Sequence, residues 1–449
     1  MNQLSFDLNI LESSTKSFNE DKLNPSSKSI RTSNRNQIEF RIGTVDDLIP
    51  TTHRARAVWN YICSLNLEVF YAKIKVAKGY KGPRTADPRV LLALWLYALL
   101  EGVISARRIA ELSKMHYAYI WICGGVSINY HTLSDFRTQQ PDLFQRLLEE
   151  SIAIMWKTGE FNPLIVAQDG TRIKADAGSS SLKIDSTIEK YLIEANTYLK
   201  ALEKEHIANP GAFNLREKEA QKKAARDRQN RLKQAQAEMG EYKKSRAELA
   251  KKNHNKLSEK EIAETKVSIT DPESRKMKMG DGGFRLAYNI QFATSVHKKV
   301  ILGVNVVNTL DPGTLGPMMN QVKKTLAAIG CPMPNKWLAD SAYANKSDAE
   351  IAEKAFDKTI LYSPPPRNGN LDEFTPRNAD NAAMINLRKR MSEEESQIIY
   401  KERAPTAEFA NAVAKNRGMG KSLVRGLNKV WSMSLLYAIA HNMTVYLSL

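Results

Sequence analysis

Three acidic residues lie where an ionised carboxylate has no simple structural explanation. Asp169 comes just after the apolar run at residues 164–167, Asp340 directly follows the apolar residues 337–339, and Glu408 lies in a later segment of the chain. A charged carboxylate at the end of a buried strand is costly unless it is paired or holds a metal ion. Three converging carboxylates would supply the oxygen ligands that Mg²⁺ prefers. We therefore expect a divalent-metal site.

A site of this kind suits phosphodiester chemistry. Two divalent ions roughly 4 Å apart activate the attacking oxygen and stabilise the leaving oxygen, and carboxylates from separate chain segments bridge them. Asp169 and Asp340 fit the roles of short acids on rigid strands, and Glu408 fits the role of an acid supplied by a helix. Each has an alternative: Asp169 could cap the turn at Gly170, Asp340 could cap a following helix, and Glu408 could form a surface pair with Lys415.

Other acids compete for these roles. Asp176 lies seven residues after Asp169, an odd offset that would place it on the opposite face of a continuous strand. Asp311 and Asp348 fit less well, because both lie in polar turns or at helix starts. The acids that compete with Glu408 are Glu393, Glu394, Glu395 and Glu402.

The charge of the chain favours a polyanionic partner. It has 66 Lys and Arg against 49 Asp and Glu, a net charge of +17. Basic side chains release counterions from phosphates, so nucleic acid is the expected partner, with a merely basic protein as the alternative. The three cysteines are too scattered for a disulfide framework, and the histidines form no closely spaced pair for zinc. The longest apolar run, residues 90–100, is too short to span a bilayer, and no signal segment opens the sequence, so we expect a cytoplasmic protein.

Composition and periodicity predict four regions. Residues 1–40 are rich in Ser, Asn, Thr and Lys and predict a disordered arm. Residues 41–161 predict an all-helical domain. Residues 162–182 and 268–449 predict a mixed α/β domain with strands and helices in alternation. Residues 183–267, dominated by Lys, Glu, Ala, Arg and Gln, predict a long helical insertion with a break near residues 209–211. Its basic stretch at 218–233 is either a solvated face or a DNA-backbone contact.

The helical region predicts a DNA-binding domain. Asp87 and Pro88 mark the start of one helix, Ser105 the start of a second, and Thr132 the opening of a third. Short helices with tight turns and exposed basic residues fit a helix-turn-helix-like DNA reader. The alternative is a packing domain whose basic residues are only solvated. The residues predicted to be exposed are Arg107, Arg108, His131 and Arg137.

Seven passages of the chain match a known family: residues 169–175, 271–275, 282–291, 338–343, 400–415, 425–430 and 440–442. In these passages the chain resembles the DDE transposases of bacterial insertion sequences, in the branch with a Y-R-E-K signature. The resemblance spans roughly residues 46–443. It implies an α/β fold in which an RNase H-like mixed sheet with flanking helices is joined to an all-helical N-terminal domain and a long helical insertion.

The resemblance also implies roles for individual residues. Asp169, Asp340 and Glu408 would be the triad that holds two Mg²⁺ ions, with Mn²⁺ able to substitute. Tyr400, Arg403 and Lys415 would support the Glu408 helix and bind phosphates of the transposon end. The helical N-terminal domain, with its predicted DNA contacts Arg107, Arg108 and Arg137, would recognise the element ends.

We therefore expect a transposase that excises and integrates its own insertion sequence. Its partners would be double-stranded DNA, both element ends and target, and the protein would act as at least a dimer on DNA. Two other functions remain open at this point: a catalytically inactive DNA-binding or architectural protein, and a stand-alone Mg²⁺-dependent nuclease. Joining of a cleaved end into a target plasmid would distinguish the nuclease from the transposase.

Overall fold

The structure is a computed structural model that describes residues 43–72, 85–159, 161–208, 214–252, 258–356, 358–367 and 372–448. The predicted arm at residues 1–40 and the predicted break at 209–211 lie outside these residues. The described strands are β1 Ile165–Lys174, β2 Leu182–Lys183, β3 Val267–Ser268, β4 Arg275–Lys278, β5 Phe284–Ser295, β6 Ile301–Val307, β7 Lys336–Leu338 and β8 Ile360–Tyr362.

Six of these strands form one mixed sheet. Its order is β6-β5-β1-β7-β8, and β4 pairs with the first residues of β5. Strand β5 is antiparallel to β1 and β6, whereas β1, β7 and β8 run parallel. Residues 286–295 of β5 are all buried, as expected for a strand covered on both faces. The order and flanking helices are consistent with an RNase H-like arrangement, so the predicted fold class is confirmed.

The described helices precede, interrupt and flank this sheet. Before the sheet lie α1 Arg54–Ser64, α2 Glu68–Ala72, α3 Pro88–Leu100, α4 Ala106–Met115, α5 Tyr117–Cys123, α6 Tyr130–Thr138 and α7 Pro141–Lys157. Between β2 and β3 lie α8 Asp185–Ala208, α9 Leu215–Lys252 and α10 Glu259–Ala263. The remaining helices are α11 Leu315–Ala328, α12 Lys346–Ala355, α13 Ala382–Ser392, α14 Glu394–Lys401, α15 Arg403–Ala414 and α16 Leu427–Leu447, with a π-helical segment at Lys415–Met419.

Local sequence signals set several helix starts. The Asp87 side chain accepts a hydrogen bond from the Arg89 N–H with Pro88 at the first helical position, and Ser105 caps α4, so both predicted starts are confirmed. Helix α6 begins at Tyr130, two residues before the predicted start, because Asn129 caps it. Among the described helices, none combines the length and apolar character needed to cross a bilayer.

One helix joins the N-terminal helices to the sheet. Helix α16 is apolar on nearly all sides and packs against α3, α6, α7 and β6. Its Asn442 is fully buried and bonds both the N–H and the C=O of Ile301, as a neighbouring strand would. Trp431 donates to the Val304 carbonyl at 2.9 Å. Residues from 49 to 443 therefore share a continuous hydrophobic core.

The position of Arg137 contradicts the sequence analysis. Its side chain lies within α6 and is buried, with the guanidinium 4.7 Å from the centre of the Trp95 ring. It donates a hydrogen bond to the Ile104 carbonyl, and burial lowers the pKa of Arg137 to about 10. The prediction that Arg137 is exposed is wrong, because the Trp95 face and the Ile104 carbonyl stabilise the cation in a buried position. This side chain is not available to a DNA phosphate.

Candidate active site

Strand β1 presents Asp169 to helix α15. Asp169 lies in the middle of the strand, and its Oδ2 accepts a hydrogen bond from the Asn411 side-chain amide at 3.1 Å. Its Oδ1 accepts a hydrogen bond from the Gly170 N–H at 2.9 Å. The turn-capping alternative is thus also true in part: one oxygen is held by the backbone, and the other faces the helix. Arg403 Nη2 lies 3.5 Å from that second oxygen.

Asp340 lies level with Asp169, two residues beyond the end of the neighbouring strand β7. Leu338 of β7 pairs with Ala167 of β1, so two further residues bring Asp340 alongside Asp169 on the same face. Its Oδ1 accepts a hydrogen bond from the Ala342 N–H, which caps the short 3₁₀ turn Ser341–Tyr343. Its Oδ2 lies 3.9 Å from the same Arg403 nitrogen. Both Oδ2 atoms are therefore less than about 8 Å apart, twice the roughly 4 Å spacing of two catalytic ions.

Burial destabilises the ionised form of both aspartates. It raises the pKa of Asp169 to about 6 from 3.8; the Arg403 guanidinium opposes this rise, and the Asp340 carboxylate adds to it. Burial also raises the pKa of Asp340, opposed by the hydrogen bond from Ala342 and by Arg403. A cation placed between two adjacent carboxyl groups stabilises their ionised forms. In this structure the cation is Arg403.

Helix α15 carries the third predicted acid, but its carboxylate is not with the other two. Glu408 is exposed, three residues before Asn411 on the helix that contacts Asp169. Lys415 is exposed at the start of the π-helical segment. In the part of the chain that the structure describes, neither side chain forms a hydrogen bond or an ion pair, and no three ligating side chains are grouped to hold a metal. The Glu408–Lys415 surface pair is therefore not formed either.

The remaining predicted residues take different positions. Tyr400, at the end of α14, is partly buried; burial raises the pKa of its hydroxyl, and the nearby Arg403 opposes this rise. Arg107 and Arg108 are exposed on α4, as predicted. The Arg107 guanidinium lies 4.9 Å from the centre of the Tyr130 ring, and Arg108 forms an exposed ion pair with Glu111 at 3.2 Å.

Asp311 is an acid whose position the sequence analysis undervalued. Its Oδ1 accepts hydrogen bonds from the side-chain amides of Asn289 at 2.9 Å and Gln291 at 2.8 Å, and Arg172 lies 3.9 Å from its Oδ2. These groups pack so closely on β1 that a Cβ at Gly170 would lie 2.2 Å from Asp311 Oδ1. The Asp311 carboxylate raises the pKa of both Asp169 and Asp340. Two signals could have found it: the glycine inside a strand, and amides at alternate positions of an apolar strand.

Comparisons with known families find transposase domains in two segments of the chain. A family model described as Transposase DDE domain matches residues 368–447, the segment that carries Arg403, Glu408 and Lys415. A second, described as Transposase domain (DUF772), matches residues 44–139 in the helical region. The two matches indicate a DDE transposase of the insertion-sequence type. No curated protein and no solved structure matches this transposase.

The family matches and the chemistry of the side chains both point to a divalent metal ion at this site. DDE transposase domains generally use divalent metals and act on DNA. Asp169 and Asp340 offer this transposase carboxylate oxygens, the ligands that Mg²⁺ and Mn²⁺ prefer. The two carboxylates already share one cationic group at 3.5 and 3.9 Å. The residues present therefore fit a divalent cation bound between these two side chains.

Proposed function

We propose that this transposase excises and integrates its own insertion sequence, and that Asp169, Asp340 and Glu408 form its two-Mg²⁺ active site. The observation that carries the proposal is the convergence of Asp169, in the middle of β1, and Asp340, two residues after the parallel strand β7, on one guanidinium. Bound ions would activate the attacking oxygen, first of water and then of a 3′-hydroxyl, and stabilise the leaving oxygen. This chemistry requires no covalent link between protein and DNA.

The side chains of the site have distinct tasks. The N–H groups of Gly170 and Ala342 each hold one carboxylate oxygen, so both aspartates are fixed in orientation before any substrate binds. Asn411 fixes the second oxygen of Asp169. Such fixed groups need no reorganisation during the reaction, which is the main source of electrostatic catalysis.

Arg403 would change partners during the reaction. Without ions, its single positive charge offsets part of the negative charge of the two aspartates. With the two carboxylates engaged as metal ligands, Arg403 would be free to bind a phosphate of the transposon end, for which a guanidinium is well suited. Glu408 would turn from the exposed flank of α15 to complete the ligand set. Tyr400 and Lys415 would contact the same DNA end, and Arg107 and Arg108 would contact DNA from the helical region. Two element ends held together require at least a dimer.

A strand-joining assay tests the proposal. A duplex carrying the ends of the element is incubated with a supercoiled plasmid and Mg²⁺, and cleavage and joining are measured separately. We expect the wild type to do both, and Asp169→Asn and Asp340→Asn to do neither while binding the duplex within a few fold. Asp142→Asn, an exposed carboxylate at the start of α7, is the matched control and should keep full activity.

The outcomes separate the three candidate functions. Cleavage without joining would identify a nuclease. Binding without cleavage would identify an architectural protein. Cleavage retained by Asp169→Asn would remove Asp169 from the active site and contradict the proposal.

A further inference from the structure

The helical insertion is fixed to the sheet and does not extend freely from it. Ile188, Ala235, Met239 and Val267 form a small second core between α8, α9 and β3. Arg275 of β4 forms an ion pair with Glu238 of α9 and lies 4.7 Å from the centre of the Tyr242 ring. Cations on the adjoining turns of α9 are therefore held at defined positions relative to the sheet.

A cleft of about 550 Å³ separates α9 from the start of α16. Arg231, Arg425 and Lys429 line it, and an adjoining cleft that shares Arg231 and Arg425 adds Arg228. Arg228, Arg425 and Lys429 are exposed, and Arg231 is partly exposed. Among the described residues, no carboxylate forms an ion pair with Arg228, Arg231 or Lys429.

The acids of this cleft are mostly engaged inside the protein. Asp271 accepts hydrogen bonds from the Gly426 N–H and the Tyr288 hydroxyl, and Glu273 accepts one from the Leu427 N–H. Both therefore cap the start of α16. Asp227 on α9 remains exposed in the cleft. Apart from Asp227, the acids named here hydrogen-bond within the protein, whereas the cations of the surface are exposed or partly exposed.

The same surface continues towards the aspartates. A third cleft shares Arg425 and adds Lys174, Lys421 and Arg285, with Asp176 paired to Arg425 at 3.0 Å. Lys174 ends β1, five residues after Asp169. Five strand residues span roughly 17 Å. DNA rises 3.4 Å per base pair, so this distance corresponds to about five base pairs.

We propose that the surface formed by Arg228, Arg231, Arg425 and Lys429 binds the phosphate backbone of duplex DNA that continues past Lys174 from the bond held at the aspartates. The proposal rests on the proposed function, because it takes the substrate at Asp169 to be DNA. Three of these cations, Arg228, Arg231 and Lys429, form no ion pair among the described residues, and their clefts are continuous with a cleft that contains Lys174 of β1. Exposed cations held at fixed positions are suited to contacts with phosphates. The insertion would then extend the DNA-binding surface of the catalytic sheet.

The test measures the salt dependence of binding to a labelled random-sequence duplex. Replacing Arg228 and Arg231 together by Gln should lower the slope of log affinity against log salt by about two, because each lost phosphate contact lowers it by about one. Replacing both by Lys should preserve the slope. Lys233→Gln is the matched control, since Lys233 is an exposed cation of the same helix that lines none of these clefts. Thermal unfolding of each variant checks the fold.

The outcomes distinguish this inference from the proposed function. The inference is overturned if the Gln double variant and Lys233→Gln have the same slope. It is also overturned if the double variant loses self-association while its slope is unchanged, since that result would identify a subunit interface. Failure of the wild type to bind duplex DNA or to cut it with Mg²⁺ would instead overturn the proposed function. A wild type that binds and cuts, beside a double variant with an unchanged slope, overturns only the inference.

Discussion

Replacing Asp169 with asparagine should stabilise the metal-free protein at neutral pH even though it abolishes the proposed activity. Burial raises the pKa of Asp169 to about 6, so the folded state holds the proton more tightly than the unfolded state does. Asparagine removes the charge but keeps the shape. Its amide can donate to the Asn411 Oδ1, a buried oxygen without a hydrogen-bond partner among the described residues, after a flip of the Asn411 amide.

The magnitude follows from the pKa values. The difference between 3.8 and about 6, at 1.36 kcal/mol per pKa unit, corresponds to about 3 kcal/mol. The favourable contribution of Arg403 is already contained in that pKa. Above about pH 6 the carboxyl is ionised in both states, and its full cost to the folded state is present. Below about pH 4 it is protonated in both states, and the cost disappears.

Urea unfolding in the presence of EDTA measures this effect. The free energy of unfolding of Asp169→Asn should exceed that of the wild type by about 3 kcal/mol near pH 8, and the difference should shrink as the pH falls towards 4. Added Mg²⁺ should stabilise the wild type by mass action and leave the variant unchanged. A variant that is less stable than the wild type near pH 8, or a difference independent of pH, would refute the reasoning about this carboxyl.

Further predictions concern packing. Gly170→Ala places a Cβ 2.2 Å from Asp311 Oδ1, so the free energy of unfolding should fall by at least about 1–3 kcal/mol; an unchanged value would show that the Asp311 network yields easily. Gly240→Ala, inside α9 with no atom within 4 Å of the new Cβ, is the control and should raise it by about 1 kcal/mol. Arg388→Met removes the cation of a buried ion pair in which Arg388 Nε lies 2.6 Å from Asp380 Oδ2. Unfolding by urea should therefore reveal a fall in the free energy of unfolding of about 3–5 kcal/mol. A fall of less than about 1 kcal/mol would mean that water solvates Asp380 in the variant.

Local patterns predicted the elements and the two aspartates. Caps such as Asp87 and Ser105 act within one helical turn, so the sequence contains the whole signal. Asp169 and Asp340 follow apolar runs that pair as parallel neighbours, and the register of that pair brings the two residues alongside each other.

Contacts between distant segments could not be predicted in the same way. Arg137 has the spacing of an exposed helix residue, and only the packing of Trp95 and Ile104 around it makes it part of the core. Asp311 lies in a turn, and its proximity to the aspartates depends on β5 pairing with β1. Glu408 was assigned by resemblance, and the exposed position of its carboxylate depends on how α15 packs.

The central claim is that Asp169 and Asp340 together bind a catalytic divalent cation, and anomalous diffraction from crystals grown with Mn²⁺ tests it most directly. The account predicts a Mn²⁺ peak between the two carboxylates, with the Arg403 guanidinium moved away and the peak absent from Asp340→Asn crystals. A guanidinium that stays between the aspartates at saturating Mn²⁺, with the ion bound elsewhere or nowhere, would contradict it.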